Sequence, residues 1–218
     1  MNEIGSTSQT EEGLGQYYEN MVGNVKKLGD ARVVVMGEYH GDKDSSHNIS
    51  QLLGNLAERE DILFIEGWPK WLRVPRLFAR DYHVPKGVRI YGWDDVKENE
   101  RAIETIHKPQ HLSVRFVKNL IKMLSMSPEE QLEFLRQKDL ERNVRETQRE
   151  QVVQKVVITD RNETLLNVIG IGRKRYPNAR MFFIAGRNHL NPQLEQGLLF
   201  MNVPHALVQA KSSLNSGK

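Results

Sequence analysis

Two short apolar runs, each closed by the same kind of signature, limit what this chain can become. Val33-Val34-Val35-Met36 leads into Gly37-Glu38-Tyr39-His40, and Met181-Phe182-Phe183-Ile184-Ala185 leads into Gly186-Arg187-Asn188-His189. A bounded apolar run of this length predicts a buried strand, and a glycine just past it lets the chain turn sharply. Each run therefore delivers a histidine just beyond a strand end. In open α/β sheets the rim at the carboxyl ends of the strands is where ligands bind. Two such signatures, near opposite ends of the chain, point to one site assembled from both.

The rest of the chain alternates in the same sense. Helical spacing of Leu14, Tyr17, Tyr18, Met21 and Val25 predicts a first helix over Glu11–Leu28. Arg32–Met36 is the first predicted strand, Ser46–Glu60 a helix, Ile62–Ile65 a second strand ending at Glu66-Gly67, and Val88–Tyr91 a third ending at Gly92-Trp93-Asp94. Ser113–Met126 and Pro128–Val157 read as helices, the second opened by Ser127-Pro128-Glu129-Glu130, a cap followed by proline at the first helical position. Asp160–Tyr176 is a further helix, Met181–Ala185 the strand of the second signature, and His205–Val208 a last strand. Strands separated by helical patterns predict an α/β fold with a central, mostly parallel sheet flanked by helices. The expected organisation is an N-terminal segment over residues 1–30, one α/β domain over 31–210 with a helical insertion at about 99–157, and a disordered tail at 211–218.

Composition narrows the function classes. The 218 residues suit one large domain, and 39% hydrophobic with 27% charged residues fits a soluble globular protein. No cysteine is present, which removes disulfides, thiolate metal sites and cysteine nucleophiles together. The net charge of +3 is mild and no basic block is interleaved with aromatics, so nucleic acid is not an expected partner. The polar N-terminal stretch lacks a signal-peptide pattern and no run is long enough for a membrane span, so the expected setting is cytoplasmic, with no membrane partner. Gly-rich phosphate loops, a Gly-x-Ser-x-Gly elbow and His-Glu-x-x-His are all missing.

Chemistry is expected from five residues. His40 and His189 can act together as metal ligands, or as a base and its orienter. Glu38, two residues before His40, can bind a metal, act as general base or fix the imidazole tautomer. Glu66 ends so apolar a run that its carboxylate needs a partner. Asp160 reads as an N-cap, and Arg161 stands in the first helical turn, where the helix dipole disfavours a cation; an oxyanion or a carboxylate partner accounts for it. Asp94 is a further strand-end carboxylate, and His47 belongs to the following helix as a supporting or surface residue. His83, His107, His111 and His205 default to structural roles. His40, Glu66 and His189 make a three-ligand set that leaves a position open for water, and without thiolates such a set suits zinc, manganese, cobalt or iron. The same residues also satisfy a metal-free scheme.

In order, strand-Gly-Glu-x-His, strand-Glu, strand-Gly-x-Asp, Asp-Arg-Asn and strand-Gly-x-x-His-Leu resemble the superfamily that joins erythromycin esterases, ChaN haem-binding proteins and TraB/TIKI/GumN hydrolases. The marks are Gly37 and His40, Glu66, Arg161 and Asn162, and Gly186 and His189. Glu38 is closer to the esterase and ChaN variants; Arg161-Asn162 is closer to the TIKI and GumN type; Arg187 and Asn188 depart from the common Gly-Ala-Gly-His form. The resemblance covers about Arg32–Val208 and implies an α/β core with facing strand-end histidines. It implies a hydrolase, acting on a peptide, amide or ester bond of a small-molecule or peptide substrate. The chemistry is metal-dependent in the TIKI branch and metal-free in the esterase branch. Haem binding, with Tyr39 or a histidine as axial ligand, is the alternative it brings.

Overall fold

The computed structural model describes residues 11–98, 100–101, 122–123 and 126–213. Two compact units divide the chain: Met1–Val96 with Asp160–Lys218, and Lys97–Thr159. The first unit begins with α1 (Glu11–Leu14), β1 (Tyr18–Gly23), β2 (Val33–Glu38), α2 (Lys43–Leu56), β3 (Ile62–Pro69) and β4 (Arg89–Asp94). The second contains α3 (Pro128–Val153), continued by a π-helical stretch Gln154–Thr159. The first unit resumes with α4 (Asp160–Arg175), β5 (Met181–Gly186), α5 (Pro192–Phe200) and β6 (His205–Ala210).

The six strands form one sheet in the order β1-β6-β2-β5-β3-β4, parallel except for β1. β2 and β5 lie at its centre and are buried at every position, as their unbroken apolar runs require of strands covered on both faces. Successive side chains point to opposite faces. Val34, Met36, Leu63, Ile65, Phe182 and Ile184 therefore pack with Ile49, Leu52, Leu53 and Leu56 of α2. Val33, Val35, Ile62, Phe64 and Phe183 face the other way, onto Leu165, Val168 and Ile169 of α4 and Leu194 and Leu198 of α5. The result is three layers, with a parallel sheet between helices. Among the described residues no helix is long and apolar enough to cross a membrane.

Local signals account for the element ends. Asp42 caps α2 by accepting the Asp44 N–H at 3.1 Å, and Ser127 with Glu130 closes a complete capping box at the start of α3. Past β3 the chain doubles back along the outer edge of β4: Val74 N–H donates to Ile90 O at 2.9 Å and Gly92 N–H to Leu72 O at 2.9 Å. A Cβ at position 92 would lie 2.2 Å from Trp68 O, so this crossing needs glycine.

Two expectations need correction, and one helix had no counterpart among them. The predicted helix Glu11–Leu28 is one turn followed by the edge strand β1. Its register against β6 shifts between Tyr18 and Asn20, a bulge that puts Tyr18 and Met21 on the same face. Residues three apart then share a face, and the pattern imitates helical spacing. Asp160 is no N-cap, because α4 follows the π-helical residues without a non-helical residue between. Helix α5 was not foreseen, although Asn191-Pro192 is a cap-and-proline start: the Asn191 side chain accepts the Leu194 N–H at 3.1 Å. Most of the expected helix Ser113–Met126, His107, His111 and the end of the tail at 211–218 lie outside the described residues.

Candidate active site

Parallel strands bring their carboxyl ends to one rim. Glu38 ends β2 opposite Gly186 of β5, and β3 and β4 deliver Glu66 and Asp94 to the same edge. Glu66 is the hub. Its Oε1 accepts from Arg161 Nη2 at 2.6 Å and lies 3.6 Å from His189 Nε2. Its Oε2 accepts from the Gly186 N–H at 2.5 Å and lies 3.8 Å from His40 Nε2. The structure thus brings together Glu38, His40, Glu66, Arg161 and His189, along with Asp94.

Arg161 meets the carboxylates its position called for. Nε donates to Asp94 Oδ1 at 3.1 Å, and Nη2 reaches both Asp94 oxygens, at 2.7 and 2.9 Å, besides Glu66. Among the described residues Nη1 has no hydrogen-bond partner. The guanidinium also lies 5.3 Å from the Trp93 ring, whose indole N–H donates to Ile184 O at 3.0 Å. The same fully buried Trp93 meets His189 edge-on at 5.5 Å. One tryptophan therefore backs both the clamp on Glu66 and the second histidine.

Each histidine has its tautomer set from behind. His40 Nδ1 lies 2.9 Å from Glu38 Oε1, while Glu38 Oε2 accepts from Tyr82 OH at 2.5 Å. A carboxylate only accepts, so Nδ1 carries the proton and the lone pair of the neutral ring is on Nε2. For His189, Asn162 Oδ1 lies 2.7 Å from Nδ1, and Asn162 Nδ2 donates to His189 O and Asn191 Oδ1, each at 3.2 Å. With the amide nitrogen facing two oxygens, Asn162 Oδ1 must be the acceptor, and His189 too keeps its proton on Nδ1. The two rings differ in access: 62% of the His40 side chain is exposed against 3% for His189, so the His40 ring is the one open to solvent.

The two glycine signatures interlock. A Cβ on Gly186 would lie 2.8 Å from His40 Nε2, and a Cβ on Gly37 would lie 2.8 Å from Cδ2 of Leu190, the residue after His189. The glycine of each motif makes room for the other motif. Tyr39 and Arg187 meet at the rim above, the guanidinium 4.4 Å from the ring and hydrogen-bonded to the hydroxyl.

Charge follows from this packing. The hydrogen bond His40 donates to Glu38 outweighs partial burial and raises the His40 pKa above its ordinary 6.5, with Glu66 adding to the rise. Burial alone would lift Glu66, but the contact with His189 and the positive charge of Arg161 bring it from 4.5 down to about 2. Burial first, then the charge of Glu38, pushes Tyr82 far above the normal phenol range, so it stays a donor.

Both Nε2 atoms face Glu66, but each Glu66 oxygen already holds a donor, and the Arg161 cation stands where it would repel a metal ion. Among the described residues no group of three or more His, Asp or Glu side chains is arranged to hold one. A metal held by His40, Glu66 and His189 would have to share Glu66 with both of these donors. For haem, Tyr39 already bonds Arg187, and an open groove of about 780 Å³ lined by Glu38 and Tyr82 has polar walls that include Asp42, Lys43, His47 and Asp81. A porphyrin needs apolar walls.

Tyr82 and the supporting role of Trp93 were not foreseen. Tyr82 lies in a proline-broken stretch without periodicity, and its partner Glu38 is 44 residues away, so no local signal marks it. Asn162 was marked only by the family resemblance, and its partner His189 comes from another element. Comparison with protein-family models, curated proteins and solved structures finds no match to this chain.

Proposed function

We propose that this protein is a hydrolase that cleaves an ester or amide bond by general-base activation of water, without a metal. The observation that carries this reading is the Tyr82–Glu38–His40 chain, which leaves an exposed imidazole with its acceptor nitrogen facing the rim. Water bound against His40 Nε2 gives up its proton as its oxygen attacks the carbonyl carbon. The imidazolium formed is stabilised by Glu38 at Nδ1 and by the nearby Glu66 carboxylate. Arg161 Nη1 is the donor left for the developing oxyanion. The tetrahedral intermediate collapses, His40 returns the proton to the leaving oxygen or nitrogen, and an acid and an alcohol or amine depart. Glu66, held between Arg161 and Gly186, keeps the two histidines at fixed distances from one carboxylate.

The direct test is turnover of activated esters and peptide anilides by purified protein and by His40→Ala. A positioned general base contributes about 10²–10⁴-fold, so His40→Ala should lose at least a hundredfold in kcat/KM. Activity that survives this substitution would remove His40 from the chemistry.

A further inference from the structure

We infer that the end of β3 and the loop from it to β4 carry an apolar shelf that binds a hydrophobic group of the substrate next to the bond being cleaved. This inference rests on the hydrolase reading for the word substrate, but the shelf itself does not. Trp68 and Phe78 stack obliquely with ring centres 5.1 Å apart, and Leu77 and Phe78 are 71% and 57% exposed. Both ends of this segment are tied to the site. Trp68 follows Glu66 by two residues, so their Cα atoms are at most about 7.6 Å apart, twice the spacing across a trans peptide. Four residues after Phe78, Tyr82 donates its hydroxyl proton to Glu38.

The segment is also held firmly. Arg76 donates to the carbonyls of Val84, Pro85 and Val88, the His83 N–H donates to Ser50 Oγ, and Val74 and Ala79 are buried. Adjacent Leu and Phe side chains presented to water on so well-anchored a turn mark a contact surface. Continuity with Glu66 on one side and Tyr82 on the other makes its occupant the substrate's own apolar part. The groove beyond Tyr82, with its polar walls, suits a hydrophilic remainder.

The experiment separates the two halves of the substrate. p-Nitrophenyl esters from acetate to hexanoate vary the acyl half, and alkyl acetates from ethyl to hexyl vary the alcohol half. One series should gain at least about tenfold in kcat/KM with length, as methylenes seated in an apolar contact do. Phe78→Ala should abolish most of that gain, while Phe78→Leu should retain it. Flat series, or a gain that survives the Phe78→Ala and Leu77→Ala pair, would overturn the shelf. Binding tests it without catalysis: hexanamide titrated into His40→Ala should change tryptophan emission more tightly than acetamide, and lose that advantage with Phe78→Ala or Trp68→Phe. Equal binding of the two amides refutes the shelf whether or not esters are cleaved. Preferential binding without His40-dependent turnover keeps the shelf and refutes the hydrolase.

Discussion

Replacing Gly186 with alanine should separate the chemistry of this protein from its stability. The backbone at Gly186 has φ −56° and ψ 141°, which any residue adopts, so alanine meets no conformational penalty. Its methyl group meets one obstacle, His40 Nε2 at 2.8 Å; the next atoms are at 3.5 and 3.6 Å, ordinary contact distances. A comfortable heavy-atom separation is about 3.5 Å, so the imidazole must retreat by roughly 0.7 Å. His40 is exposed and can do so, either by leaving its rotamer, at about 0.5–1.5 kcal/mol, or by giving up the Glu38 hydrogen bond, at about the same. The expected destabilisation is about 1 kcal/mol, a fall in Tm of about 2–4 °C for a protein of this size. Catalysis should suffer far more, because the displaced ring is the proposed base: kcat/KM should fall by at least about a hundredfold. Calorimetry and ester turnover on the same preparation measure both. Full activity in Gly186→Ala would show that His40 does not work from its observed position, and a Tm loss beyond about 10 °C would mean that the packing around Gly186 has been misjudged.

Other outcomes follow from the same site. Because the His40 pKa lies above 6.5 and the neutral ring is the proposed base, kcat/KM should rise with pH through a value above 6.5, and Glu38→Gln should move that limb to lower pH; an unmoved profile would remove Glu38 as its partner. Glu66, lowered from 4.5 to about 2, contributes stability that is complete above 4.5 and lost as pH falls toward 2, so Glu66→Gln should flatten acid unfolding in that window. Arg161→Leu leaves Glu66 and Asp94 unpaired in a buried place, which should cost about 3 kcal/mol or more; a change in Tm under 2 °C would contradict the clamp. Chelator treatment should leave Tm and turnover unchanged and hemin should not bind stoichiometrically; activity lost to chelator and restored by zinc would revive the metal scheme.

Much of the rim was readable because strand ends are local events. An apolar run followed by Gly-x-x-His says where a strand stops and which side chain comes next, and Glu66 and Asp94 follow the same rule. Four of the five expected site residues come from such ends, and Arg161 was marked by a charge out of place in its helix. What failed was of another kind. The bulge in β1 changed the side-chain period from two to three and made a strand resemble a helix. Tyr82 offers no pattern at all, since its value lies in a carboxylate reached only when the loop folds over α2.

The sequence by itself determined that there would be a buried parallel sheet with a histidine past each of two strands, since unbroken apolar runs have few other stable destinations. It also removed thiol chemistry, by having no cysteine. Only the tertiary structure decided which histidine meets solvent, which nitrogen carries its proton, and that Arg161 grips Glu66 and Asp94 together. Those outcomes depend on distances of a few ångströms between residues far apart in the chain, such as Arg161 and Asp94 or His40 and Gly186. Pairings of that range are set by how the whole sheet stacks its strands, and no stretch of sequence contains them.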